Sequence, residues 1–193
     1  MMETLIAMSS IVSTLIIGIT AIVIWWQLRE NQRQAQSNNE WNRRLTTQQM
    51  LNNIMLGEFR ALRYQFEKEC GCRVSDPNQC YETVKAKFEE EGKKEKIEEM
   101  ESYLVAILNV FEAFAISMKN HIIDEDICYD NLCLLFIRFK RWSEAFINER
   151  RQKAADLQVW INFTNYADKW QLRKNKEKAE MAQKAVITGK AAL

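Results

Sequence analysis

Turn-forming residues are scarce in this chain. Five glycines and one proline among 193 residues leave few sites for tight reversals, so helix is the default between them. Histidine is scarcer still: His121 stands alone, with no neighbouring Cys or Ser whose base it would be. Charge of one sign is also missing. Lys and Arg number 27 against 26 Asp and Glu, a net charge of +1, which excludes a global attraction to nucleic acid or to an acidic partner. No Gly-rich phosphate loop, H-E-x-x-H, G-x-S-x-G or paired C-x-x-C occurs. The expectation is a non-enzyme without a cofactor or a metal.

What is present first is a long run without charge. Leu5 to Leu28 contains no Lys, Arg, Asp, Glu or His, and about 20 apolar residues suffice to cross a hydrocarbon core of roughly 30 Å. A secretory signal would carry a basic leader and a small-residue cleavage site. This run is preceded by Met1, Met2 and Glu3 and closes on Trp25-Trp26, so retention as a transmembrane helix is expected. Arg29, Arg33, Arg43 and Arg44 follow it and none precedes it. The positive-inside rule then puts the N-terminus outside and the rest in the cytoplasm of a single-pass inner-membrane protein. Trp25, Trp26, Arg29 and Arg33 are the expected interface residues. Ser10, Thr14, Gly18 and Ala21 make a small, partly hydroxylated face opposite a bulky one. Such faces allow close helix packing, so homo-oligomerisation is expected, with a pore one step further.

Beyond the run, 29–70 reads as a long juxtamembrane helix, polar all round as far as Asn42. Trp41, Leu45, Gln48, Asn52, Met55, Phe59, Leu62 and Phe66 then alternate spacings of four and three, the rhythm of packed helices. That seam packs either within the chain or between copies. Asp76-Pro77-Asn78 marks the clearest break. A helical bundle is expected over 71–171 and a charged helical or disordered tail over 172–193.

Within the bundle, Tyr81 to Glu91 reads as a short helix ended by Gly92. Leu104, Ile107, Leu108, Phe111, Phe114, Ala115, Met118 and Ile122 define a core helix. Ala106, Ala113 and Ile116 on its other side suggest enclosure from more than one direction. Asn109 and Glu112 on that helix need partners and read as structural hydrogen-bonding groups. Asp124-Glu125-Asp126 reads as a helix start, where acids satisfy free N–H groups and oppose the dipole. A last helix is expected from Asp156 to Gln171, with Val159, Trp160, Phe163, Tyr166 and Trp170 on one side. Arg138, Arg141, Arg150 and Arg151 form a modest basic stripe, the one candidate for partner or RNA contact.

Cys70, Cys72, Cys80, Cys128 and Cys133 complete the inventory. In a reducing compartment they are expected as thiols. Cys70-Gly71-Cys72 with Cys80 raises zinc or a redox-sensitive loop as alternatives.

A membrane helix ending Trp-Trp-Gln-Leu-Arg leads here to Leu108-Asn109-Val110-Phe111-Glu112, Ile122-Ile123-Asp124-Glu125-Asp126 and Trp160-Ile161-Asn162-Phe163 with Trp170. This outline, over roughly 5–171, resembles a bacterial family of single-pass membrane proteins with a cytosolic helical domain. The same outline is also similar to the small membrane accessory encoded beside type VI-B CRISPR effector nucleases. The resemblance implies an inner-membrane oligomer that forms a pore in antiphage defence, with a CRISPR effector complex as partner. It also implies a divergent HEPN-like bundle. HEPN ribonucleases use Arg, four to six residues, then His. Here the nearest arginine before His121 is Arg73, so that site is absent.

The reading as a whole is an all-α chain: one transmembrane helix, 5–28, continuing into a long helix and followed by a cytosolic bundle. Its expected partners are the lipid membrane and further copies of itself. A membrane-tethered adaptor and an RNA-binding HEPN-like module are the alternatives, and nucleic acid stays an open partner.

Overall fold

The computed structural model describes the backbone of residues 2–190 and the side chains of 20–184. It is all-α. Its helices are α1 (Met2–Leu56), α2 (Glu58–Cys70), α3 (Tyr81–Glu90), α4 (Lys94–Lys119), α5 (Glu125–Ala154) and α6 (Ile161–Lys190), with no strand among the described residues. Two compact units divide the chain, Met1–Arg43 and Arg44–Leu193.

The first unit consists of α1 up to Arg43. From Thr20 onward its side chains are almost all exposed, including Trp25, Trp26, Leu28 and Trp41. The run 5–28 lies for the most part outside the residues whose side chains are described. Among those that are, α4 is the one helix long and apolar enough to cross a membrane by length and composition. Its row of fully buried residues, from Met100 to Met118, makes it a core helix of the second unit.

The long helix expected over 29–70 is interrupted at Gly57. There the backbone turns extended (φ −90, ψ −156), after a last α1-type bond from the Gly57 N–H to the Asn53 carbonyl at 3.1 Å. A Cβ at this position would stand 2.7 Å from that same oxygen, closer than side-chain carbons tolerate. Glycine therefore permits the break. The interruption resets the helical register. Phe59 and Phe66 are buried as expected, but Trp41, Leu45 and Met55 of the same expected seam are exposed, and Thr47, Leu51 and Ile54 face the core instead. The four-and-three rhythm continued straight through a helix end that periodicity cannot detect.

After Gly71 (φ 59) closes α2 with Cys72 N–H bonding back to Glu67, a loop leads to α3. Gly92 (φ 68) follows that helix, in line with the expected stop. α4 then crosses the centre. The Phe111 ring lies 4.9 to 5.2 Å from those of Phe59, Phe136, Phe139 and Phe163, drawing α2, α5 and α6 onto one residue. Full burial of such a side chain contributes about 1.5–3 kcal/mol, and favourable ring pairs add about 0.5–1.5 kcal/mol each.

α4 packs against α2, α3, α5 and α6 but keeps one open strip. Ala106, Ala113 and Ile116 are exposed, so the enclosure expected there is incorrect; a small alanine faces water at little cost. The last helix also starts later than expected. Ala155 adopts a left-handed cap (φ 50), and Asp156 accepts the Gln158 N–H at 2.8 Å in a turn of its own. α6 therefore begins at Ile161 and continues to Lys190, through most of the expected tail.

Candidate functional site

The sequence stretches singled out above are brought together by the fold, chiefly at helix ends. Glu112 on α4 accepts the Asn162 backbone and side-chain N–H groups at 3.2 and 2.7 Å and the Phe163 N–H at 2.8 Å. It thus satisfies the open N-terminus of α6 from a neighbouring helix. Asn109, one turn earlier, accepts the Trp160 indole N–H at 2.8 Å. That bond accompanies the positive φ of 52° at Trp160. Asp124 caps α5 by accepting from Asp126 and Ile127, while its own N–H donates to buried Thr47 at 2.7 Å. Glu125 binds Lys169 at 2.7 Å and lies 3.3 Å from the Trp170 indole nitrogen. Asn109 and Glu112 thus act as structural hydrogen-bonding groups, as expected, and Asp124 caps the start of α5, as expected for the acidic trio. The link from Glu125 to α6 goes beyond that reading.

A second polar assembly was not legible in the sequence. A cleft of about 820 Å³ lies beside α3 and α5, lined in part by Tyr81, Lys85, Arg141, Trp142 and Glu149. The Tyr81 hydroxyl donates to Glu101 at 2.7 Å and stands 3.2 Å from Glu149. Lys85 and Lys153 reach Glu149 at 3.2 and 2.7 Å, and Arg150 reaches Glu101 at 2.8 Å. The Lys153 ammonium, helped by Lys85, draws the Glu149 carboxyl down from its ordinary 4.5 to about 2. Burial, then Glu101, pushes the Tyr81 phenol well above its usual range. Glu149 and Lys153 stand four residues apart on α5, but Tyr81, Glu101 and Glu149 lie far apart along the chain and no spacing rule joins those three. The network locks α3, α4 and α5 together through paired charges. The Trp142 indole N–H is buried and has no hydrogen-bond partner among the described residues.

Cys70, Cys72, Cys128 and Cys133 are buried free thiols, and Cys80 is half-buried. Hydrogen bonding to Cys70 and then burial hold the Cys72 thiol far above the ordinary range, and burial first pushes Cys128 up to about 12. Groups of this kind stay protonated and unreactive. Among the described residues, no three His, Cys, Asp or Glu side chains gather as a metal would require. His121, exposed, takes a positive φ of 57° just beyond the C-terminus of α4.

The basic stripe divides in two. Arg151 spends its guanidinium on the Val159 carbonyl (2.9 Å) and the Thr164 hydroxyl (3.1 Å), and Arg150 is held by Glu101 and lies over the Phe146 ring. Arg138 and Arg141 remain exposed, the latter donating to the Asp76 carbonyl at 3.3 Å. The structure does not gather all four into one free basic surface.

In the first unit, Arg29 lies 5.4 Å over the Trp25 ring, an exposed cation–π pair, and Trp26 and Arg33 are exposed beside it. Of the small-residue face only Ala21 falls within the described side chains, where it is exposed. Ser10, Thr14 and Gly18 lie outside them.

Compared with known protein families, residues 14–170 match the model of DUF4760, a domain of unknown function. No curated protein and no solved structure matches the chain.

Proposed function

We propose that this chain, which belongs to the DUF4760 family, is a membrane-anchored homo-oligomer that forms a pore or perturbs the bacterial inner membrane. The observation that carries the reading is the charge-free run Leu5–Leu28, which closes on Trp25-Trp26 and is followed by an arginine cluster. Exposed Trp25 and Trp26, with Arg29 over Trp25, have the amphipathic character of an interfacial belt. Arginines on one flank alone favour an N-out orientation. The role in CRISPR-associated antiphage defence follows from the resemblance described above. Paired charges and protonated thiols in the bundle support a non-enzymatic part.

In the transmembrane run, small residues belong at helix contacts or toward the axis, and bulky ones against lipid. Full-length protein expressed in bacteria is expected to depolarise the membrane, read by a potential-sensitive dye, and to migrate as an oligomer in detergent. Gly18→Leu and Thr14→Leu are expected to abolish both readouts, and Ile19→Leu to leave them unchanged. Membrane-bound protein that never depolarises overturns the pore reading in favour of a tethered adaptor. A C-terminal alkaline phosphatase fusion active in the periplasm overturns the orientation.

A further inference from the structure

Between the aromatic belt and Arg43, α1 carries a pattern that the anchor does not explain. Gln27, Asn31, Gln34, Asn38 and Trp41 follow spacings of four, three, four and three. At about 100° per residue they stay within about 40° of one line along the helix. All five are exposed, Trp41 at 68%. Arg29, Arg33, Glu40 and Arg43 fall on the other side, about 160° to 240° round from Gln27. Glu30 alone borders the amide row. Amides also occur off this row, at Gln32, Gln36, Asn39 and Asn42, so the telling feature is where the charges are placed.

From this segregation we infer that the segment 27–41 is a contact surface for a second copy of the same helix, parallel and in register. A carboxamide both donates and accepts, so like residues facing each other pair without rearrangement. An ionised side chain on that line would instead meet its own charge on the neighbour. Removing charge from one face while crowding it onto the other is what a self-contacting helix requires. A helix that merely spans water gains nothing from it. Polar residues at such positions set register and copy number, and Trp41 closes the row with apolar area. Parallel alignment rests on the proposed anchoring, because copies inserted in one bilayer with one orientation emerge side by side.

The test uses the full-length chain in bacterial membranes. Asn31→Cys and Asn38→Cys, made singly and oxidised with copper–phenanthroline, are expected to give disulfide-linked dimers. Arg33→Cys and Glu40→Cys on the charged face should give no more than the unsubstituted chain. Equal linking at all four positions, linking on the charged face alone, or none above the unsubstituted chain overturns the inference. Asn38→Asp and Gln36→Asp place the same charge on opposite faces, at exposed positions outside the bundle core. Loss of the detergent-stable oligomer is expected for Asn38→Asp alone, and identical behaviour of the two overturns the seam. If an oligomer persists while the seam positions stay unlinked, the amide contact fails and the proposed function stands. A monomeric unsubstituted protein removes both.

Discussion

The two units of this protein use helix for opposite ends. In the second unit the helices pack on one another: Leu104, Phe111, Phe136, Phe139 and Trp170 are fully buried, and the charges joining α3, α4 and α5 are paired. In the described part of the first unit no large side chain is buried, and Trp25, Trp26 and Trp41 are more than half exposed. A bundle derives its stability from removing apolar area from water. An isolated helix has only its backbone bonds and side-chain neighbours to hold it. The aromatics and the amide row of the first unit are left exposed by the helix that carries them.

That contrast is most severely tested at Phe111. Phe111→Asp places an unpaired charge among the rings of Phe59, Phe136, Phe139 and Phe163. The cost is at least several kcal/mol, enough to abolish cooperative thermal unfolding of the bundle followed by circular dichroism. Trp41→Ala, on an exposed position, is expected to change bundle stability by less than about 0.5 kcal/mol. Comparable losses from the two substitutions would erase the distinction between the units.

A smaller effect is expected at Glu112. Replacement by alanine leaves the Asn162 and Phe163 N–H groups without their acceptor. Losing a helix-end acceptor costs about 1–2 kcal/mol, read as a lower urea midpoint with unchanged slope. An unchanged midpoint would show that the first turn of α6 does not depend on α4.

The smallest effect belongs to pH. Glu149, drawn down from 4.5 to about 2 in the folded chain, stabilises the fold fully above its unfolded value. That contribution disappears as pH falls from 4.5 through about 2. Glu149→Gln should therefore flatten the acid-side decline in that window while leaving its shape above pH 6 unchanged. Parallel profiles for the two proteins would show that Lys85 and Lys153 give the carboxylate no net support.

The helix ends divide the legible from the illegible. Gly92 and Asp124 were readable, because a glycine stop and an acidic start act within a turn of where they occur. Gly57 was not. Its effect depends on the Asn53 carbonyl 2.7 Å from where a Cβ would sit, and an isolated glycine inside a periodic seam carries no sign of that. The Tyr81–Glu101–Glu149 network was equally hidden, since its members come from α3, α4 and α5 and meet only after packing.

By itself, the sequence determined the all-α class, the row of apolar residues on α4 that enters the core, and the charge-free run before Arg29. These follow from composition and from the 3.6-residue period, both of which are properties of neighbouring residues. Tertiary structure alone decided which seam residues are buried on either side of Gly57. It also decided that α4 is open along Ala106, Ala113 and Ile116, and that Arg150 and Arg151 are spent inside the molecule. Periodicity says which residues share a face, whereas only the neighbouring helices decide whether that face is covered.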